Sequence, residues 1–432
     1  MKKRFLAPAA IALAVAAGVS GGGGLAAAAT PSHTLNIWLM TGEISPSVYN
    51  LVNAAFDAQN PGWTVNVQIQ QWSGISTKLI TALASSNPPD AMEIGNTDVA
   101  EFAASGGLEN LSQYKSSLPN SNNWLGGLEG PAEYNGGLYA VPLLAGDRVV
   151  VYNKQMFAQA GIKQAPNSIA QLVADGAKLK ATFSNVANFS PLYLPGEYWY
   201  AGIPLLWANG GQIATQSGGK WTGDLTSKGS LAGLAEWQKI QNTLSVPASR
   251  DVNTNAPDQD SVLASGKAAM IVGGSWEPGV VIADNKKLSG ELGSFVFPGP
   301  TAGTPAPVFI GGSDIGIAAN SPNQQQALEW VELMTGKVNQ LSMAKFDGLM
   351  PNAKSLLPVG ASLPVPGLAS AADFYAAASH SNFTPATPGW ATVEADNVME
   401  TLFSQVASGK QNIAQIAAAT DTQLNNLLNA RQ

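Results

Sequence analysis

The hydrophobic pattern changes period repeatedly from residue 35 onward, and each change marks an element. Leu35 to Met40 is an apolar run that predicts a buried strand. Ser45-Pro46 opens a helix, with Ser45 as N-cap and Pro46 at the first helical position. Val48, Leu51, Val52, Ala55 and Phe56 recur at helical spacing until Asn60-Pro61-Gly62 stops the run. Val65, Val67 and Ile69 then alternate with polar residues, as a half-buried strand does. A second helix is predicted over 77–84 and a third strand over 91–94. Asp98 to Ala104 reads as a helix N-capped by Asp98 and ended by Gly106-Gly107. A β-α-β-α-β order calls for a parallel sheet with helices on its faces.

Further along, strands over 139–142 and 148–152 flank Ala145-Gly146-Asp147, where the chain is expected to cross into a second lobe. Helices are predicted over 166–181, 231–242 and 278–285, with a short strand over 270–272. The Pro-, Gly- and Thr-rich stretch from Pro298 to Pro307 reads as a linker. A strand resumes over 315–318, and Ser321-Pro322 caps a helix running to about Met334. Two more helices, over 393–406 and 413–428, are separated by Ser408-Gly409. No internal repeat is present.

The N-terminus departs from this pattern and reads as an export signal over residues 1–29. Lys2, Lys3 and Arg4 form a basic start, Ala9 to Val19 a short apolar core, and Ala26 to Ala29 a small-residue cleavage site. The apolar run is shorter than the ~20 residues that span a bilayer. An exported protein, extracellular or periplasmic and associated with the cell surface, is therefore expected. Val19-Ser20-Gly21 resembles the start of a lipobox, but Gly22 stands where the lipidated cysteine belongs.

Composition narrows the chemistry. The 432 residues suffice for two or three lobes, and 45% hydrophobic against 12% charged residues marks a globular chain. A net charge of -7 argues against nucleic acid, whose phosphates need clustered cations. The absence of cysteine excludes thiol catalysis, iron–sulfur clusters and disulfides. His33 and His380, the only histidines, lie far apart and suggest neither a triad nor a metal site. No phosphate loop or nucleophile elbow occurs. No cofactor and no catalytic residue are expected.

What remains is aromatic: 11 Trp, 9 Tyr and 13 Phe in a chain poor in charge. Sugar rings have apolar faces and polar rims, so a site for them combines flat aromatic surfaces with hydrogen-bonding side chains. Glu197-Tyr198-Trp199-Tyr200, Ser275-Trp276-Glu277, Trp72 and Trp390 fit that need in predicted loops. Each tryptophan competes with a packing role, and Trp124, Trp207, Trp237 and Trp330 are assigned to packing. Polar groups converge at matching places: Thr41-Gly42-Glu43 after the first strand, Asn96-Thr97-Asp98 after the third, and Gly312-Ser313-Asp314 beside the strand that follows the linker. Ligands of open α/β sheets sit beyond the carboxyl ends of strands. Asp147-Arg148 reads either as a hinge ion pair or as a hydroxyl clamp. Glu43, Asp147, Glu197, Glu277 and Asp314 leave open a glycosidase, which needs two carboxyl groups about 5–10 Å apart. A passive wall-polysaccharide binder is the third reading.

Several segments together resemble a known family. They are Asn87 to Asn96, Glu101 to Leu108, Gly137 to Pro142 with Val151 to Lys154, Gly266 to Met270 with Gly274-Ser275-Trp276, Gly311 to Ile317, and Gly348 to Pro351. In order and spacing they are similar to family 1 extracellular solute-binding proteins of ABC sugar importers, the maltose-binding-protein type. The resemblance implies a periplasmic-binding-protein-like α/β fold: two doubly wound α/β lobes with a hinge and an interlobe cleft. The expected lobes are 31–146 plus 307–345, and 147–306 plus 346–432. It implies a carbohydrate ligand, a di- or oligosaccharide, passed to ABC permease subunits by a monomer. The positions it assigns to the ligand are Glu43, Asn96, Thr97, Asp147, Arg148, Trp199, Tyr200, Trp276, Ser313 and Asp314. Trp72, Glu277 and, more loosely, Trp390 join them from the aromatic reading.

Overall fold

A computed structural model describes residues 33–430; the signal segment and the altered lipobox lie outside the described residues. The first stretch lays down β1 (His33–Met40), α1 (Pro46–Gln59), β2 (Trp63–Gln70), α2 (Ile75–Leu83), β3 (Ala91–Gly95), α3 (Val99–Ala104) and α4 (Gly126–Ala132). The short pair β4 (Glu133–Tyr134) and β5 (Gly137–Leu138) precedes β6 (Ala140–Gly146). After the crossing come β7 (Val149–Asn153), α5 (Lys154–Gln159), α6 (Ile169–Thr182), β8 (Ser190–Tyr193) and α7 (Trp199–Ala208). The hairpin β9 (Ala214–Ser217) and β10 (Lys220–Gly223) leads to α8 (Lys228–Leu244), α9 (Gln259–Ala264), β11 (Ala268–Gly273), α10 (Glu277–Asp284) and β12 (Leu292–Phe295). The chain returns through β13 (Val308–Phe309), β14 (Gly311–Ile317), α11 (Gln324–Thr335) and α12 (Lys337–Phe346). It closes with α13 (Leu357–Ala361), α14 (Ala372–Ala378), β15 (Ser381–Asn382), α15 (Trp390–Ala395), α16 (Val398–Ser408) and α17 (Ile413–Leu427).

Two sheets organise the two lobes. One has the order β2-β1-β3-β14-β6, with β1 parallel to β2 and β3, and β14 antiparallel to both its neighbours. The other has the order β12-β7-β11-β8. The first sheet recruits β14 from beyond residue 310, because Ile315 and Ile317 complete a core with Leu35, Ile37, Val48, Val52 and Phe56. Trp330 of α11 joins that core and donates its indole N–H to Asn53 at 2.9 Å. Trp237, Ile203, Leu234 and Phe403 centre the second core, where Trp237 donates to the Phe403 carbonyl at 3.0 Å. Three passages link the lobes: residues 147–148, residues 296–307, and the stretch after α12, which Met350 ties to Ala145 by two backbone hydrogen bonds of 3.0 and 3.1 Å.

The sequence expectations hold for element type and shift at boundaries. Trp124, Trp207, Trp237 and Trp330 are all buried. Leu51 and Ile69 are exposed despite their periodic placement, since β2 is an edge strand and α1 buries only Val48, Val52 and Phe56. Asp98 does not cap α3; its carboxylate accepts instead from Ser76 Oγ at 3.0 Å. Tyr198-Trp199-Tyr200 is not a loop, because α7 begins at Trp199. The helix expected over 393–406 breaks at Asn397, whose positive φ of 52° interrupts the helical ladder.

Candidate functional site

One edge of the first sheet gathers most of the polar candidates. β1, β2, β3 and β6 all end there, and β14, running the other way, brings its first residues to the same edge. The register sets Gly95 beside Ser313, and Gly146 beside Gly311. Both end-strand glycines lie under a tryptophan. A side-chain carbon added at Gly95 would lie 3.6 Å from the Trp72 ring, and one added at Gly146 would lie 3.4 Å from the Trp276 ring. Trp72 and Trp276 keep 38% and 51% of their surface exposed, so neither is core. They rest on strands two spacings apart, about 10 Å at ~4.8 Å per spacing. Trp276 comes from the second lobe, just after β11, so one ring is supplied from each side.

The flanking loops tie this edge to the other lobe. Asp347, next after α12, accepts from the backbone N–H of Ser45, beside Glu43. Gly348 accepts from Ser275 Oγ at 3.2 Å, beside Trp276. Phe346, 55% exposed, directly precedes the Asp347-Gly348 pair that makes these two bonds. Sequence reading missed it because no element was predicted over 337–346; the available signal was an aromatic residue directly before Asp347-Gly348.

The electrostatics are those of carboxyl groups held partly neutral. Burial, then the facing Glu43, pushes Glu93 up to about 8, while Met40 N–H donates to it at 2.7 Å. Burial also raises Glu43. Burial raises Asp98 to about 6. Across the lobe contact, burial and then Asp98 raise Glu394 to about 7. Trp390 donates its indole N–H to Glu394 at 2.7 Å, and Thr97 donates to it at 3.4 Å. Thus Thr97 of the first lobe touches α15 of the second through a residue that sequence reading did not select. Burial, then Asp260, raises Glu277 to about 8, with Gln259 donating to both its oxygens at 2.9 and 3.0 Å.

Other candidates have gone to the framework. Asn96 is buried and spends its amide on the carbonyls of Gly127 and Ile310 at 3.3 and 3.2 Å. Asp147 and Asp314 are buried at 1% and 0% exposure, and burial holds both carboxyl groups well above the usual range. Neither is placed to flank a sugar bond. Asp147 and Arg148 form no ion pair in the structure; Arg148 Nε donates to the Tyr198 hydroxyl at 2.9 Å, and its guanidinium lies 4.4 Å from the Tyr200 ring centre. Tyr200 in turn stacks on Phe309 at 4.9 Å and 9°, a column at the hinge. Trp199 and Trp390 are packed in the second core at 3% and 0% exposure, 5.9 Å apart, as walls beneath the surface and not as open platforms. Ser313 is buried against Glu93, to which it donates. Glu43, Trp72, Thr97 and Trp276 remain at least partly exposed. Among the described residues no group of side chains could hold a metal, and no helix is long and apolar enough to cross a membrane.

Comparison with known proteins gives a consistent result. Residues 41–341 match a family described as bacterial extracellular solute-binding protein. The diacetylchitobiose binding protein DasA of Streptomyces coelicolor is 36% identical over 380 residues, covering 88% of this chain and 86% of the relative. A multiple sugar-binding protein of Streptococcus mutans is 26% identical over 294 residues, covering 65% and 66%. The structure superposes on the sugar-binding protein MalE of Xanthomonas citri with a TM-score of 0.79 at 21% identity, covering 92% of this chain and 98% of the other. At that identity the last likeness speaks for the fold.

Proposed function

From the premise that this chain belongs to the bacterial extracellular solute-binding proteins, we propose that it captures a carbohydrate between its lobes and delivers it to the permease subunits of an ABC importer. The family consists of binding proteins, not enzymes. The observation that carries the carbohydrate reading is the pair of half-exposed tryptophans, Trp72 and Trp276, each seated on a glycine at one sheet edge and separated by about two strand spacings. Such rings stack on the apolar faces of sugars while nearby carboxyl groups take hydroxyls. Trp72, Trp276 and Phe346 form the aromatic surfaces in this reading; Glu43, Thr97 and Glu394 form the polar rim. Glu277 and Arg148 act one layer back, fixing the loop that carries Trp276 and the first turn of α7 that carries Tyr200. The ligand is a di- or oligosaccharide, and the relationship to DasA makes diacetylchitobiose the first one to test. The lobes in this reading are 31–146 plus 307–345, and 147–306 plus 346–432. The protein acts outside the membrane as a monomer and binds no nucleic acid.

A thermal-shift screen of mono- to tetrasaccharides tests the reading. Ligand at 100 times its dissociation constant should stabilise the fold by about 2.7 kcal/mol. Small-angle scattering should show compaction with the same sugar, as hinge closure requires. Absence of a shift with every sugar, or release of shorter products during incubation, would overturn it.

A further inference from the structure

A second aromatic cavity lies outside the site just described. It is a pocket of about 130 Å³, half open to solvent, between the end of α7, the β9–β10 hairpin and the segment after β15. Trp207, Trp221 and Phe383 wall it, with Gln212, Asn382 and Thr384 among its polar lining. It shares no residue with the Trp72–Trp276 edge; Trp207 stands seven residues beyond Tyr200 on α7, about 10 Å along the helix axis. Its volume suits one ring: an engineered apolar cavity of about 150 Å³ accepts benzene. This cavity differs from an apolar void in its chemistry. The Gln212 side chain and both indole N–H groups make no hydrogen bond to any described residue, leaving donors and acceptors beside flat apolar surfaces. No charged side chain lines it, so an ionic ligand would find no counter-charge among its walls. Its Phe383 wall packs against Gly130 of α4, where a side-chain carbon would have no room, so the cavity is braced by both lobes.

We propose that this cavity is a separate site for one neutral pyranose ring, either a free monosaccharide or the terminal residue of a chain. The ring face stacks on Trp221 and Trp207, and its hydroxyls meet Gln212 and Asn382. The proposal does not depend on the cleft being a sugar site, and its test separates the two. Saturation-transfer NMR is run with methyl N-acetyl-β-glucosaminide, methyl β-glucoside and chitotetraose on the full-length chain. Binding in the millimolar range should persist in Trp276→Ala, in which the cleft is impaired. It should weaken at least tenfold in Trp221→Ala and severalfold in Gln212→Ala, while cleft affinity measured by calorimetry is unchanged in both. Gln212 is exposed, so its variant keeps the fold even if Trp221→Ala loses stability. Tighter binding of the tetramer than of the methyl glycosides identifies the end of a chain as the ligand; equal binding identifies a free monosaccharide. Loss of all binding in Trp276→Ala, indifference to both cavity variants, or no binding of any probe overturns the proposal.

Discussion

Replacing Trp276 by Ala tests the cleft most directly. A tryptophan buries up to roughly 200 Å² when fully enclosed. Trp276 is 51% exposed, so about 100 Å² of it is free to be covered by a ligand at the proposed site. At about 25 cal/mol per Å² that surface contributes ~2.5 kcal/mol to binding, close to 70-fold in affinity. The covered half rests on Gly146 and Gly274, and its loss should cost at most a similar amount of folding stability, since area sums of this kind are upper bounds. Trp237→Ala supplies the contrast. That ring is 0% exposed, and its removal should cost about 3–5 kcal/mol of stability with little effect on affinity in the molecules that remain folded. Calorimetric titration with the best sugar from the screen, and melting of the unliganded variants, separate the two. If Trp276→Ala binds as tightly as the parent while its melting point drops as far as that of Trp237→Ala, Trp276 is a packing residue and the proposed cleft is misplaced.

Three further outcomes are expected. Glu394, raised to about 7, faces Asp98, raised to about 6, across the lobe contact, with Thr97, Trp390, Tyr200 and Glu400 as the other neighbours; the neutral forms favour the contact, so sugar affinity should fall severalfold from pH 5.5 to 8, and Glu394→Gln should flatten that profile in calorimetric titrations. Because the folded state raises Glu93 from its ordinary value near 4.5 to about 8, its contribution to stability is complete below pH 4.5 and is lost as pH rises through 8. Glu93→Gln should therefore melt like the parent at pH 4.5 and above it at pH 8.5, and equal melting at both pH values would count against a buried titrating carboxyl group. Gly202 lies under the Phe403 ring with no space for a side-chain carbon, so Gly202→Ala should lower stability by about 1–3 kcal/mol in urea unfolding.

Local pattern alone determined much of this protein. The alternation of β and α over residues 35–104 depends only on side-chain period and on Ser, Pro and Gly at the ends, and the structure keeps each of those elements within a few residues. The four tryptophans assigned to packing are packed, three of them in helices and all within apolar surroundings. Trp72 and Trp276 could be singled out because each follows a strand end, where a side chain has no periodic face to join. What sequence could not supply was partnership across distance. Whether Trp390 faces solvent or Trp199, whether Asn96 holds a ligand or the carbonyls of Gly127 and Ile310, and whether Arg148 pairs with Asp147 or with Tyr198 and Tyr200, are decided by elements 31 to 214 positions apart. The same holds for Glu394, which follows an unremarkable Thr-Val pair and becomes a candidate for the proposed cleft only because α15 meets Thr97 across the lobe contact. Burial and neighbouring charge set the behaviour of a carboxyl group, and both are properties of the assembled lobes; period and capping act within a few residues, and those the chain carries by itself.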